Sequence, residues 1–500
     1  MNTVNNSEKT SIKSIILLVA FCLFATTQSC DEVLEIEAEG NISGDIYDTQ
    51  ENIEKALIGA YYSFGGINDG SVGGELMGGD FTLIPTLLAR RNNLEISWDD
   101  VNGPAYSNFM DKDVLATNDR VSANWRRAYE VINTLNNILF NIDNVTNASV
   151  KSKIQGEALA MRAILYFEMI RLWGGQYSNI TLNDDAIPLK TEPITEVKQI
   201  ETPELATIQE IYTFVEQDLT IASTLLEGLA KNDVNLSYYT CQAYLMRLSL
   251  QKRDFPAAEG FANTIINSNA FQLANTPVEA FNNTANSSED IFAIQQTTAF
   301  SAGDRSTGSG LPNYYSSLTE SGLGVMRIFG FSLTTPSRVN GPNFSSIDLR
   351  GTVNTNVNTS TTAADITTPF YTNILNTSLL SSSKFMRSDR VIPRIRLAEI
   401  HLSRAEAVYE KNFKVIDPTA LSDLNLIRNR AGLPTLEEDD FLTSFSFYDS
   451  LILERKRELL FEGIIFHDLK RWQGKIGSSS AISQKFILPI PQAETDTWGN

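Results

Sequence analysis

Apolar residues return every three or four positions through most of this chain, the spacing that gives a helix one buried face. From Thr49 to Phe64, Ile53, Ala56, Leu57 and Ala60 line one side, and Gly65-Gly66 supplies the stop. Ser122 predicts the start of a second helix, with Trp125, Ala128, Ile132, Leu135 and Leu139 in step behind it. A third, Lys153 to Trp173, carries Ile154, Ala158, Met161, Leu165, Met169 and Leu172 as its stripe. Gly156, Ala160 and Ala163 leave another of its faces thin enough for a neighbouring helix to come close. Thr202-Pro203 has the chemistry of the next start, a cap followed by proline at the first helical position, with Ile208, Ile211, Val215 and Leu219 after it. Ser237 to Leu250 and Phe255 to Ile266 read as an antiparallel pair broken at Arg253-Asp254. Arg396 to Lys411, followed by a helix opened by Asp417-Pro418 and closed by Gly432 and Pro434, reads as another. Small and large residues alternate across these pairs, and a pair length of about 34 residues predicts tetratricopeptide-like packing.

Two regions break the period, about 65–118 and about 269–392. The first accumulates Gly, Asn and Asp and reads as a long structured loop carrying Trp98, Tyr106 and Phe109. In the second, Ile291 to Gln295 alone reads as a strand. Tyr314, Tyr315, Phe329, Phe331, Phe344, Phe370 and Tyr371 are too many aromatic residues for plain disorder. The expectation is a mainly α fold in one domain over 46–500. About four tetratricopeptide-like helical pairs (about 46–64, 120–268 and 394–472) would back a large irregular, loop-rich lobe containing few short strands.

Asp449 to Trp472 packs charges among apolar residues more densely than a solvated helix needs. Asp449 or Ser450 offers a cap, and Ile452, Leu459 and Leu460 follow at helical spacing. Glu454 and Arg457 lie three apart, as do Arg455 and Glu458, so each pair can meet across one turn. Exposed pairs contribute only about 0.3–0.5 kcal/mol. Beside Leu459, Leu460 and Phe461 they are expected to be half-buried and to fix orientation.

The formal charge of −20 excludes a nucleic-acid groove, which needs a basic stripe, and disfavours docking on anionic headgroups. Lys9 and Lys13 precede Ile15 to Phe24, an apolar run too short to span a bilayer, and small residues then lead to Cys30. Residues 1–29 therefore read as a secretory signal, with either a modified Cys30 or ordinary cleavage leaving it free. The acidic stretch through about residue 45 reads as a tether. Cys241, in a helical pattern, is expected to be a buried inert thiol.

Catalytic constellations are missing from the pattern. His401 and His467 sit in helical stretches without a partner at metal-ligand spacing, and Asp99-Asp100 and Asp184-Asp185 read as turn residues. No nucleophile elbow, zinc-protease helix or phosphate-cradling loop occurs. The expectation is no enzyme and no cofactor, with a structural calcium left open. Binding of a sugar needs flat aromatics beside amides and arginines. Loop-borne Trp98 and Tyr106, with Tyr314 and Tyr315 in the irregular lobe, have that character, and Arg90, Arg91 and Asn102 are the polar candidates.

E-R-K-R-E-L-L-F-E-G followed by D-L-K-R-W resembles the C-terminal signature of the SusD/RagB family of nutrient-binding outer-membrane lipoproteins of Bacteroidetes. E-N-I-E-K-A-L-I-G-A-Y-Y, G-E-A-L-A-M-R-A-I-L-Y-F-E-M-I-R-L-W-G-G, R-L-A-E-I-H-L-S-R-A-E-A with L-N-L-I-R-N-R-A-G-L-P, and F-I-L-P-I-P-Q-A-E resemble the same family in order. Ile464 and Ile465 stand where the family often has a polar or basic pair, and the family's Asn-Pro-containing tail does not follow before Asn500. The resemblance implies a lipid anchor at Cys30, a surface-exposed outer-membrane location, capture of an oligosaccharide, and a SusC-like TonB-dependent transporter as partner. Two other readings stay open: a RagB-like peptide binder with spare backbone donors in its groove, and a non-catalytic helical-repeat scaffold whose partner is protein.

Overall fold

The computed structural model describes residues 44–67, 73–90, 97–98, 104–195, 202–229, 234–303, 306–316, 326–329, 344–345, 347–351, 366–373, 376–441, 446–476 and 478–498. Its helices in chain order are α1 (Gln50–Phe64), α2 (Asp80–Leu88), α3 (Pro104–Asp111), α4 (Asp119–Phe140), α5 (Ala148–Trp173), α6 (Ile208–Leu226), α7 (Tyr238–Lys252), α8 (Phe255–Asn267), α9 (Gly310–Tyr315), α10 (Leu397–Lys411), α11 (Pro418–Arg430), α12 (Phe447–Leu459) and α13 (Ile465–Arg471), with one short turn after them. The expected mainly α architecture is present. Consecutive long helices pack as antiparallel neighbours, α5 on α6, α6 on α7, α7 on α8 and α10 on α11, while α8 also meets α10 and so joins the two ends of the set.

Local chemistry sets most of the boundaries. The Thr49 hydroxyl accepts from the Asn52 N–H at the start of α1, and Asp417 does the same for Thr419 in α11. Elsewhere the true cap lies away from the expected one. Asn118, not Ser122, opens α4 by accepting from Arg120 and Val121, and Asn147 opens α5. The Thr202-Pro203 start is displaced to Thr207, which forms a capping box with Glu210, because Leu205–Thr207 are taken up as a strand. Gly156 does permit a close approach: a Cβ there would lie 2.7 Å from Cγ of Leu226 on α6.

The strands are few and short. β1 (Ser97–Trp98), β5 (Met326–Phe329), β7 (Asn376–Ser382) and β6 (Phe370–Asn373) form a sheet in that order. β2 (Asp185–Pro188) pairs with β3 (Leu205–Thr207), β4 (Asp290–Ile294) with β8 (Ile392–Arg396), and β9 (Lys475–Ile476) with β10 (Ser479–Ser480), all antiparallel. The stretch 65–118 is less irregular than its sequence pattern. It contains α2 and α3, and every residue of α2 is buried, so no polar face gives it a period to read. Apolar side chains form one large cluster reaching from α1 to α13 and a satellite that holds Leu402, Leu424, Phe447 and Leu451. α10 stands between them, sending Ile400 and Ala407 into the first and Ala398, Leu402 and Ala405 into the second.

The charged stretch 449–472 is two helices rather than one. Ser446, not Asp449 or Ser450, caps α12, with Asp449 completing a capping box. The chain then turns through Phe461 (φ 69°) and Gly463 (φ 77°) into α13. Glu454, Arg455, Glu458, Asp468, Lys470 and Arg471 are buried outright, Lys456, Arg457 and Glu462 are half-buried, and Asp449 is exposed. Glu458 meets Arg396 at 3.1 Å, Arg430 at 2.5 Å and Arg350 at 3.5 Å. Glu462 meets Arg396 at 2.8 Å and Lys384 at 2.6 Å. Arg396 and Arg430 both also hold Glu289, while Arg350 holds Asp348 and Glu454. Arg455 does not pair with Glu458; it bonds Asp468 at 2.6 Å and the Ser403 hydroxyl at 2.9 Å. The Glu454–Arg457 contact survives only at 4.0 Å. These ions join α12 and the turn after it to Glu289 just before β4, to β8, to α11 and to the segments at 348–350 and 384.

The rest of the signature is equally internal. Asp468 takes Arg455 and Arg471, and Glu406 takes Arg471 and the Trp472 indole N–H. Lys470 donates to the carbonyls of Arg171 and Gly174, satisfying the C-terminal end of α5. Burial, with Arg171 adding to it, pulls its ammonium down to about 7. His467 is buried and held well below its usual value by burial and Arg171, and His401 bonds Asp423, so both are framework residues. Cys241 is a buried free thiol, pushed up to about 12 by burial.

Burial raises the Glu458 carboxyl, but Arg430, Arg396 and Arg350 outweigh that and hold it well below the ordinary 4.5. A carboxyl lowered in this way adds stability above its unfolded value and loses it as pH falls through the folded one. Glu458→Gln should therefore cost about 3–5 kcal/mol at pH 7, because it leaves buried cations without their partner. Denaturation followed from pH 7 to pH 3 should show the gap between variant and parent narrowing below about 4.5, the unfolded value. A pH-independent gap would mean that shape, not charge, is what the substitution disturbs.

Candidate functional site

The lobe is ordered from behind by one carboxylate. Asp80, at the first turn of α2, accepts from the Tyr106 hydroxyl at 2.8 Å, Arg120 Nε at 2.8 Å and Asn124 Nδ2 at 2.6 Å. Asn124 in turn accepts from the Leu76 N–H at 2.9 Å, and Glu75 stands 3.5 Å from Arg120. The loop leading in is tight. Gly66 has φ +62° and the Glu75 carbonyl oxygen 2.0 Å from where a Cβ would be, so only glycine fits there. Tyr106 donates to Asp80 from α3, and Tyr314 of α9 packs edge-on against its ring at 5.1 Å.

Three of the aromatic candidates are thereby spent inside. Tyr106, Tyr314 and Tyr315 are each buried, with Tyr315 wedged between Phe385 and Phe461 at 5.5 and 5.0 Å. Burial, then the Asp80 charge, lifts the Tyr106 hydroxyl well above its usual value, and burial does the same for Tyr315. They support the face instead of forming it. Arg90 is half-buried beside the Met110 sulfur, with its carbonyl taken by Lys112, whose ammonium burial brings down to about 8. Trp98 lies in β1 opposite Met326. Arg91, Asn102 and Cys30 lie outside the described residues.

Among the described residues, Tyr62 and Phe300 form an exposed aromatic pair. Their rings meet at 5.4 Å and 48°, and the residues are 39% and 49% exposed. Tyr62 projects from α1 opposite its buried stripe of Ile53, Leu57, Ala60 and Phe64, one turn after exposed Ile58. Phe300 tips a turn closed on itself: the Thr297 N–H donates to the Phe300 carbonyl at 2.9 Å, and the Phe300 N–H to the Thr297 hydroxyl at 3.1 Å. Behind the turn, the Gln296 amide accepts from the Ala302 N–H and donates to the Arg390 carbonyl, fastening it to the segment that carries Arg387 and Asp389. Thr297 and Thr298 are exposed next to the ring. An exposed aromatic pair on a fixed turn that also carries threonine hydroxyls can stack a ring on the C–H face of a sugar while meeting its hydroxyls.

Tyr62 and Phe300 were missed because aromatic content alone does not separate platform from core. The signal was present in part: Ile58 and Tyr62 fall four apart and outside the buried stripe of α1. Phe300 stands alone among Thr, Ala, Ser and Gly just after a predicted strand.

A sequence profile described as the SusD family matches residues 348–500, and one described as starch-binding associating with outer membrane matches residues 88–248. SusD-like protein P2 of Formosa agariphila is 26% identical over 419 residues, covering 75% of this chain and 78% of the relative. Among solved structures, a SusD superfamily protein of Bacteroides thetaiotaomicron superposes with a TM-score of 0.71 at 22% identity, covering 90% of this chain and 98% of that one. A laminarin-binding SusD-like protein superposes at 0.64 and 19% identity, covering 90% and 98%. The buried charges that the two C-terminal motifs contribute fall within one matched segment, and the α4 to α7 hairpins within the other; the chain belongs to the SusD/RagB family.

Proposed function

We propose that this protein captures a glycan at the outer-membrane surface and passes it, chemically unchanged, to a TonB-dependent transporter of the SusC type. The observation that carries the glycan reading is the Tyr62–Phe300 pair, pre-set by a self-closed turn and a stapling glutamine. Rigid placement matters because a ligand that meets a formed platform does not have to order it. Kinship supports the class of ligand: one relative in structure is a laminarin binder, and the profile matching 88–248 is described by starch binding and outer-membrane association. Trp98, Asn102 and Arg91, on the segment that leads into α3, extend the same proposal. Tyr106, Tyr314 and Tyr315 enter it as supports. No helix among the described residues is long and apolar enough to cross a membrane. The basic start, short apolar run and small residues before Cys30 resemble a lipoprotein signal, so attachment is assigned to Cys30, acylated after removal of 1–29, with the acidic stretch after it as tether. Acyl chains contribute about 0.8 kcal/mol per buried methylene, enough for stable anchoring when more than one is present.

Three substitutions separate the parts of this reading. On polysaccharide affinity gels, Phe300→Ala should weaken retention by the glycan that binds the parent, with a loss of about 0.5–1.5 kcal/mol, or roughly 2- to 12-fold in Kd. Unchanged retention would remove the pair from the site. Tyr106→Phe should leave that retention intact but lower the denaturation midpoint, since a buried hydrogen bond to Asp80 is lost at a cost of about 1–3 kcal/mol. Lost binding at unchanged stability would instead make Tyr106 a contact residue. Cys30→Ala should move the protein from the membrane to the soluble fraction of cells, and its retention there would disprove the anchor.

A further inference from the structure

Residues 268–289 connect α8 to β4 without any helix or strand, yet they are fixed at nearly every step. The Gln272 N–H donates to the Ser288 carbonyl, and the Ala274 N–H donates to Glu289 Oε1, the carboxylate that also holds Arg396 and Arg430. Asn282, at φ 59°, ties the loop to the Ser383 carbonyl and the Met386 N–H, and the Asn283 carbonyl accepts from Val391. Asp290 takes the Ser287 N–H at 2.7 Å. A long connection with this many anchors is shaped, not slack, and long irregular segments in compact proteins are usually functional.

Its concave side is a groove of about 520 Å³ whose walls include Gln272, Asn275, Glu279, Asn283, Thr284 and Asn286. That volume lies in the range of small-ligand sites. The groove is separate from the aromatic face. Gln295 and Gln296, just after β4, reach different partners: the Gln295 amide donates to Asn286 in the groove wall, while the Gln296 amide holds the Phe300 turn.

The wall chemistry selects the ligand. Amides and hydroxyls donate and accept, as sugar hydroxyls do. Among the described residues no aromatic ring lines the groove, so they offer no stacking surface there. The exposed carboxylate of Glu279 on the wall disfavours an anionic chain. The backbone N–H groups of Gln272 and Ala274 are already used, which takes two donors away from an extended peptide. We propose that this groove is a second binding site, for a neutral, hydroxyl-rich saccharide segment held edge-on by side-chain hydrogen bonds. The choice of saccharide rests on the glycan reading above; the existence of a second site does not.

Amide hydrogen exchange of the full mature chain tests both, with soluble laminarin and maltoheptaose as neutral probes, alginate as an anionic probe and a tryptic casein digest as a peptide probe. A neutral glucan should slow exchange in 272–288 as well as at 58–62 and 297–300, and alginate should leave 272–288 unchanged. Gln272→Ala with Asn275→Ala, both exposed and outside the anchoring bonds made by side chains, should abolish the slowing in 272–288 and leave that at 297–300 in place. Slowing confined to 58–62 and 297–300 overturns the second site and spares the first. Slowing confined to 272–288 supports the second site and overturns the aromatic face. No slowing by either glucan in 272–288, or slowing there by alginate or by the casein peptides alone, overturns the assignment.

Discussion

Glu458 is surrounded by Arg350, Arg396 and Arg430 in a part of the protein closed to water, and each of those cations comes from a different element. Taking a carboxylate out of water costs several kcal/mol, so the site is stable only while its partners are all in place. That makes it a device for orientation more than for net stability. A packed apolar cluster tolerates sliding, since dispersion and apolar burial have no direction. A carboxylate shared among guanidinium groups does not, because every N–H must find its oxygen. The irregular lobe has little regular structure with which to position itself on the helices. Its segments at 289–290, 348–350 and 384 are instead pinned by charge to α12, α11 and β8.

The same constraint reaches both binding surfaces. Glu289 holds Ala274 in the floor of the groove and, through Arg396, shares partners with Glu458. β4 runs from that carboxylate to Gln296, which staples the turn bearing Phe300. On the other side, Asp80 gathers α2, α3 and α4 and seats Tyr106 against Tyr314. Rigid, exposed platforms are thus consequences of buried ions a few residues away. The neighbouring arginines lower the Glu458 carboxyl against the pull of its own burial, while burial and the Asp80 charge both raise the Tyr106 hydroxyl.

The helical scaffold was legible because α1, α5, α7, α8, α10 and α11 are amphipathic or well punctuated, and the caps of α1, α7, α8 and α11 are local chemistry. Four kinds of feature were not. α2 is buried on all sides and contains Pro85, so neither period nor propensity announces it. The partners of Arg455 and Glu458 are set by tertiary contact; spacing along α12 suggested each other, whereas the fold gave Arg455 to Asp468 and Glu458 to three distant arginines. Whether a tyrosine becomes core or platform depends on what lies opposite it. Tyr106 faces Asp80, a residue in a stretch read as loop, while Tyr62 faces outward on a helix whose other side carries the stripe. The groove at 272–288 has no sequence signal beyond its richness in Asn and Ser, because its shape comes from bonds to residues more than a hundred positions away.

The claim that buried ions make the lobe and the helices one mechanical unit is tested most directly by native-state hydrogen exchange in increasing denaturant. The amides to follow are Ala274, which bonds Glu289, and Phe370, which bonds the Arg350 carbonyl, against the central amides of α12. A charge-pinned lobe predicts that all of them open at one common free energy, as members of a single cooperative unit. If Ala274 and Phe370 exchange through an opening well below that of α12, the lobe moves independently of the helices, and the buried charges do not hold it.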